Sequence, residues 1–337
     1  MSDRIIVTGC AGFIGMHCAE RLLDDGHIVI GIDNLNDYYD VNLKKARLAR
    51  LEGRKGFSWH HADIASRERL QEVFAEAKPV RVLHLAAQAG VRRSIEVPDQ
   101  YTDSNLLGFA NLLQQCRMHH VEHLVFASSS SVYGGNTKVP YSENDAVDHP
   151  ISYYAATKKA NEVMAHSFAH IYGIPCTGLR FFTVYGPWGR PDMALFKFTK
   201  AILEGQTIDV YGEGRLTRDF TYIDDVAKST LLVLNKTATP DEHFDALAPN
   251  PGTAKAPFRI FNIGNRRPVI LLDFIHALES ALGMEARKNM LPIQPGDMRD
   301  TAADTTALSK WIGFAPDTPV TEGVARFVQW YREFYGK

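Results

Sequence analysis

The chain opens on an apolar, β-branched run that ends in "VTGCAGFIG" and sets glycines at positions 9, 12 and 15. No other stretch limits the fold so tightly. Glycines at GxxGxxG spacing directly after a strand make one kind of junction with the helix that follows. The first permits a tight turn, the second lets backbone approach a diphosphate, and the third lets helix pack close on strand. The helix N-terminus then offers free N–H groups and partial positive charge to an anion. Gly9, Gly12, Phe13, Ile14 and Gly15 are the candidate cradle.

The rest of the first half keeps the rhythm that such a loop demands. "RIIVTG" (4–9), "HIVIGID" (27–33), "FSWHHAD" (57–63), "VRVLHLA" (80–86) and "HLVFASS" (123–129) read as strands, with "CTGLRFFTVYG" (176–186) as a further one. Helical patterns lie between them at about 13–24, 38–51, 66–77, 98–119 and 151–172. Alternation of this kind implies an α/β fold, a Rossmann-type doubly wound parallel sheet with helices on both faces. After about residue 186 glycine and proline become frequent and the alternation breaks. A dinucleotide-binding domain is expected over 1–186, with segments near 220–236 and 258–266 as candidates to return to it. A smaller, irregular α/β substrate-binding region is expected over 187–337. Residues 236–257 read as a mobile surface loop.

The loop also predicts which dinucleotide. Asp33 stands 18 residues beyond Gly15, at the end of the second strand, where a carboxylate accepts from ribose hydroxyls and repels a 2′-phosphate. No Arg or Lys follows in "DNLNDYYD". NAD is therefore expected rather than NADP, with Asn34, Asn36, Asp63, Ile64 and the strand-end residues Leu85, Ala86 and Ala87 around it.

Bulk properties exclude several classes. A formal charge of −2 supplies no basic field for nucleic acid or an anionic membrane. No window approaches 18 apolar residues, and the first residues, "MSDRIIVTGC", lack a signal-peptide core. Cys10, Cys18, Cys116 and Cys176 are scattered without metal spacing, as in a cytoplasmic protein.

"ISYYAATKKANE" (151–162) adds the chemistry. Tyr154 and Lys158 stand one helical turn apart on one face. A phenol with a pKa of about 10 is a poor base at neutral pH. A lysine ammonium and the cationic nicotinamide ring both favour the phenolate. A shift of two to three units, about 3–4 kcal/mol, brings it into working range. The pair makes sense beside a dinucleotide and little sense without one.

Together these features resemble the short-chain dehydrogenase/reductase superfamily, in its extended branch of nucleotide-sugar enzymes. The matching stretches include "VTGCAGFIG", "HLAAQAGVRRS", "ASSSSVYG", "YYAATK", "LRFFTVYGPWGRPDMA", "YGEGRLTRDFTYIDDV" and "PGDMRDTAAD", nearly the whole chain. The resemblance implies that Tyr154 takes the sugar 4-hydroxyl proton while C4 gives hydride to NAD⁺. Lys158 is then its electrostatic partner and a ribose ligand, and Ser129 bonds the 4-hydroxyl. Sugar 4,6-dehydratases carry an Asp-Glu pair where Ser130 and Ser131 stand here. UDP-glucuronate decarboxylases usually carry Glu at the place of Ser131. The 4-epimerases remain, which return the hydride to the other face of a 4-keto intermediate.

The stretches are most similar to UDP-glucuronate 4-epimerases. Thr183 stands where UDP-galactose 4-epimerases usually carry Asn, which implies a carboxylate held by Thr183, Ser130 and possible partner Ser131. A 4-keto uronic acid is a β-keto acid. It loses CO₂ when its carboxylate bond stands perpendicular to the ketone plane, so neutral hydroxyls would restrain that loss. Arg92 or Arg93 is an alternative holder. By the resemblance Arg190 lies near the uridine, Arg218 grips the diphosphate and Asp297 accepts from the uridine ribose. Tyr211 stacks near the uracil or packs in the core. Gln294 replaces a common arginine, whose role could pass to Arg299. Asn105 is expected as a backbone anchor, and small Thr301 leaves N-acetyl sugars open as side substrates. Relatives dimerise through two helices per subunit, here near 98–119 and 151–172. A UDP-glucose/UDP-galactose 4-epimerase, a UDP-glucuronate decarboxylase and a non-catalytic NAD-binding regulator stay as rivals, though the last would be expected to lack Tyr154 or Lys158.

Overall fold

The structure is a computed structural model that describes residues 2–293 and 298–337. Its centre is a sheet of seven strands among the described residues. The first six are β1 (Arg4–Thr8), β2 (Ile28–Asp33), β3 (Phe57–His61), β4 (Arg81–His84), β5 (His123–Ser129) and β6 (Cys176–Phe181). The seventh is Phe258–Ile263, and every neighbouring pair is parallel. From β1 the order runs through β2 to β3 on one side, and through β4, β5 and β6 to Phe258–Ile263 on the other. The order reverses between β1 and β4, and ligands of such sheets bind at that crevice, beyond the strands' carboxyl ends.

The strands are apolar because both faces are covered. Helices α3 (Arg67–Ala77), Gly108–Met118 and Tyr153–Tyr172 cover one face, burying Phe74, Phe109, Leu112 and Ala165 there. Helix α1 (Phe13–Asp24) covers the other with Ile223–Leu234 and Thr306–Ile312, burying Met16, Leu22, Val226 and Leu308. The segments 223–234 and 258–263 thus lie with the sheet. The helices Ala194–Leu203, Leu271–Leu282 and Val320–Tyr335 form a third core with Phe196, Phe274 and Phe327.

Three elements differ from the sequence reading. The helix expected over 98–119 is broken into Pro98–Tyr101, a π-helical turn Thr102–Leu107, and Gly108–Met118. Asn105 explains the turn. Its side chain accepts from Gln88 N (2.8 Å) and donates to Gln88 O (3.0 Å) and Thr157 Oγ1 (3.0 Å), while its carbonyl accepts from Asn161 Nδ2 (2.7 Å). These bonds draw backbone out of the regular ladder. They also support the expectation that Asn105 anchors backbone.

The strand expected over 176–186 divides at Phe182. Phe181 ends the central sheet, whereas Thr183–Tyr185 pairs with Phe220–Tyr222 in a separate two-stranded sheet. Phe182 N donates to Ile263 O (3.1 Å) and Thr183 N to Asp219 O (3.1 Å), so the chain changes partners within one residue.

The segment 236–257 is irregular, with Leu247 fully in solvent, but it is tied down. Ala238, Ala254 and Ala256 are buried, and Ile260 N donates to Gly252 O (2.9 Å). The outermost strand of a sheet gains from such a cover.

The four cysteines are buried free thiols. No helix of the described residues is long and apolar enough to cross a membrane.

Candidate active site

A cleft of about 900 Å³ runs along the carboxyl ends of the strands. Gly9, Gly12, Phe13, Ile14 and Gly15 line one end. Here glycine is a steric requirement. Gly9 has φ +72°, and a Cβ on it would stand 2.8 Å from Ala86 N. A Cβ on Gly15 would stand 2.0 Å from Gly9 O. Helix α1 starts at Phe13 with Gly12 as an N-cap that supplies no side-chain bond, so its first N–H groups remain for an anion. This cradle fits a dinucleotide diphosphate.

Asp33 closes the β2 end. Its carboxylate accepts from Ala11 N (3.0 Å) in the glycine loop and from Leu35 N (2.8 Å). Burial pushes its pKa up, opposed by those two bonds and by the nearby Lys44. Asp63 accepts from Asn34 Nδ2 (2.9 Å) and from Ala65 N (2.8 Å). Asn36 Nδ2 donates to Gln88 Oε1 (3.3 Å). Ile64 packs where Gly108 lacks a side chain. Leu85 and Ala86 donate their N–H groups to Thr8 Oγ1 (3.2 and 3.1 Å) and lead to Ala87 in the cleft wall.

No Arg or Lys stands within "DNLNDYYD", but Lys44, just beyond it, comes near Asp33. Helix α2 (Val41–Ala49) brings it in, and its Nζ donates to Asn36 O and Oδ1, both at 2.6 Å. Its place with Leu43, Arg47 and Leu48 on the buried face of α2 was the signal available in the sequence. Because the ammonium is engaged by Asn36, the preference for NAD rests on the Asp33 carboxylate and not on a lack of positive charge.

Ser152 caps the helix Tyr153–Tyr172 by accepting from Ala155 N (3.1 Å), which fixes where Tyr154 and Lys158 rise. Ser129 faces Tyr154 closely enough to pull the phenol pKa down. Ser129 Oγ also meets Ser131 Oγ (2.5 Å) and accepts from Ser131 N (3.2 Å). Ser130 and Thr183 line the same wall. Ser128 points to the other face of the strand and donates to Glu162 Oε1 (2.6 Å).

Lys158 stands beside Tyr154: its Nζ donates to Ala127 O (2.8 Å) and lies 6.0 Å from the Tyr154 ring centre. Among the protein's own groups, burial comes first and pushes the Tyr154 pKa up, while the Ser129 bond and the Arg190 charge pull it down. Burial brings Lys158 itself down to about 8. The chain alone thus leaves the phenol protonated at neutral pH.

Arg190 lines the cleft as well. It forms a two-pronged pair with Asp192 (3.0 and 2.5 Å), lies 5.9 Å from the Tyr38 ring and acts on Tyr154. That is the catalytic side of the cleft. Tyr211 and Arg218 stand with Leu216 and Phe220 in the wall built by the C-terminal region. Arg218 donates to Thr217 O (2.8 Å) and Arg299 O (3.0 Å). Arg92 lies over the Tyr211 ring at 5.5 Å, whereas Arg93 pairs with Glu96 at the surface. Of the two arginines the cleft therefore involves Arg92 most directly. Thr301 Oγ1 accepts from Asp219 N (3.3 Å). Asp297 and Gln294 lie outside the described residues. His84 is a core residue, bonded to Thr8 Oγ1 (2.8 Å) and brought down to about 3 by burial.

The comparisons with known proteins agree with this geometry. The sequence pattern of the NAD dependent epimerase/dehydratase family matches residues 5–246. A probable UDP-glucuronate 4-epimerase of Rhizobium meliloti (strain 1021) is 49% identical over 336 residues, which cover 98% of each chain. A UDP-glucuronic acid 4-epimerase from Bacillus cereus, solved with UDP-glucuronic acid and NAD, superposes with a TM-score of 0.87 at 32% identity, over 98% of this chain and 99% of that one. A UDP-glucose 4-epimerase from Thermotoga maritima, solved with UDP-glucose, reaches a TM-score of 0.85 at 30% identity over the same shares. The backbone is thus nearly as similar to a neutral-sugar enzyme, and the side chains carry the distinction.

Proposed function

The chain belongs to the NAD dependent epimerase/dehydratase family, and on that premise we propose that it interconverts UDP-glucuronate and UDP-galacturonate by inversion at C4. The observation that carries the reading is that Tyr154, Lys158 and Ser129 line one cleft with the glycine cradle, Ser129 pulling the phenol pKa down. Bound NAD supplies the hydride acceptor at C4 and the positive charge that favours the phenolate. Tyr154 accepts the 4-hydroxyl proton and returns it after the 4-keto sugar has turned over. Ser129 shares that proton's hydrogen bond and fixes the phenol oxygen. Lys158, held by the Ala127 carbonyl, reaches the cofactor ribose and keeps positive charge near the ring.

Ser130, Ser131 and Thr183 hold the carboxylate near the ketone plane and so restrain CO₂ loss. Arg218 and Tyr211, with Asp297, receive the UDP half, while Arg190 stands between the two ends. The sheet and its returning segments hold the cofactor, and most of 187–337 holds the UDP-sugar. Four buried thiols suit the reducing cytoplasm.

Incubation of the purified chain with UDP-glucuronate and no added cofactor, followed by the anomeric protons in NMR, should show UDP-galacturonate without CO₂ or pentose. UDP-xylose would make the chain a decarboxylase. Turnover of UDP-galactose alone would move the substrate to the neutral sugar.

The unit is a homodimer in this reading. Leu107, Met118, Val163, Ile171 and Tyr172 are exposed on the broken 98–118 helix and the 153–172 helix, at 43–65% of their surface. Exposed apolar side chains gathered on two neighbouring helices mark a contact surface. Sedimentation at micromolar concentration should give twice the chain mass, and Val163→Glu with Ile171→Glu should give the single chain. A wild-type monomer would reject this interface.

A further inference from the structure

We propose that Arg47 and Tyr38 fasten a strap across the cofactor site, so that NAD leaves only when residues 36–47 part from residues 186–192. The proposal rests on the 4-epimerase reading, in which one NAD must stay with the chain through both hydride transfers.

Arg47 is a fully buried side chain on α2, and among the described residues its guanidinium makes no ion pair. All its bonds go to neutral oxygens. Nη1 donates to Ala11 O (3.3 Å), within the glycine loop, and to Tyr39 OH (2.6 Å). Nε and Nη2 donate to Trp188 O (3.0 and 2.7 Å), and Nη2 also to Gly189 O (3.0 Å). A buried cation is costly unless its donors are satisfied. Here they are satisfied only while the glycine loop and the 188–189 turn stand together. The turn is held in an unusual shape for this, since Trp188 has φ +65°, a region rare for a bulky residue. Trp188 also packs on Trp330 and Phe334, at ring distances of 5.2 and 4.9 Å.

Tyr38 makes the second fastening. Its hydroxyl donates to Asp192 Oδ2 (3.1 Å), the carboxylate that grips Arg190. It also fills the space over Gly90, where a Cβ would stand 2.3 Å from the Tyr38 oxygen. Tyr38 therefore spans from the segment after Asp33 to the opposite wall. Tyr38, Lys44 and Asp192 line the same cleft as the glycine cradle. The residues that follow the ribose-binding Asp33 are thus tied to the substrate-side loop at two points, and neither tie touches the reacting atoms. Arg47 and Tyr38 are positioning residues for cofactor retention.

The test is the rate at which bound NAD in the holoenzyme exchanges with isotopically labelled NAD, read by mass spectrometry in the absence of sugar. Tyr38→Phe removes one hydroxyl, and Arg47→Lys keeps the charge but loses the fork. Losing hydrogen bonds to a charged group should speed exchange by at least about tenfold in each. Epimerase kcat of Arg47→Lys at saturating NAD should stay within a few-fold of the parent. Phe74→Leu, in the core under α3 and remote from the strap, is the control for general loosening. Exchange within twofold of the parent in both strap variants would overturn the proposal. So would equally fast exchange in Phe74→Leu at a matched melting temperature. Failure of the parent chain to turn over UDP-glucuronate would remove the catalytic reading while leaving the exchange result to stand by itself.

Discussion

Tyr154→Phe should lower kcat for UDP-glucuronate by about a thousandfold, within the range that a positioned acid–base group contributes. The KM and the content of bound NAD should change little. In the proposed reading the phenolate oxygen accepts the 4-hydroxyl proton, whereas the nucleotide ends of both ligands meet other walls of the cleft. The sign of the pH dependence follows from the site. Burial pushes the phenol up, and among the described residues Ser129 and Arg190 oppose it. At neutral pH the reactive phenolate is the minority form until the bound cofactor adds its charge. Activity of the parent should therefore rise with pH as the phenol loses its proton, and any residual activity of Tyr154→Phe should lack that limb. A variant that keeps more than about a tenth of the parent kcat, or keeps the limb, would put the base elsewhere.

The second large effect is on stability. Glu162 and Arg180 form a two-pronged pair, 2.9 Å at each prong, with side chains 4% and 0% exposed. Ser128 donates to Glu162, and Arg180 donates to Tyr133 OH (3.0 Å). Glu162 lies one turn beyond Lys158. The pair thus ties the catalytic helix to β5, which ends at Ser129, and to β6, which leads to Thr183. Glu162→Ala strands a buried guanidinium, and about 3–5 kcal/mol of unfolding free energy should be lost, measured by urea titration. Replacing both partners, as Glu162→Leu with Arg180→Met, should recover much of that loss, because no charge is then left unpaired. A cost below about 1 kcal/mol for Glu162→Ala would mean that water reaches the arginine and the tie is not structural.

The parts of this site that were legible in the sequence are those set by short-range rules. The glycine spacing, the acid after β2, the serines at the end of β5 and the capped Tyr-Lys helix each depend on a few neighbouring residues. The structure brings all of them to one cleft. Lys44 escaped because its approach to Asp33 depends on how α2 packs. The π-helical turn escaped because its cause, Asn105, bonds to Gln88, Thr157 and Asn161, all distant in the chain. The break at Phe182 escaped because "LRFFTVYG" has unbroken strand character, and only Ile263 and Asp219 compel the change of partner. Helical spacing shows that Lys158 is near Tyr154, but not that burial pushes the phenol up, because burial depends on the whole cleft.

That change of partner at Phe182 bears on how such a chain can be altered. One residue separates a strand of the central sheet from a strand of the small sheet that holds Phe220–Tyr222, and the chain later returns to the central sheet with 223–234, 258–263 and 306–312. A cut near 186 would leave the first piece without its outermost strand and without two helices of its cover. The first 186 residues are therefore not a cassette, because the central sheet and its cover are completed by chain that comes after them.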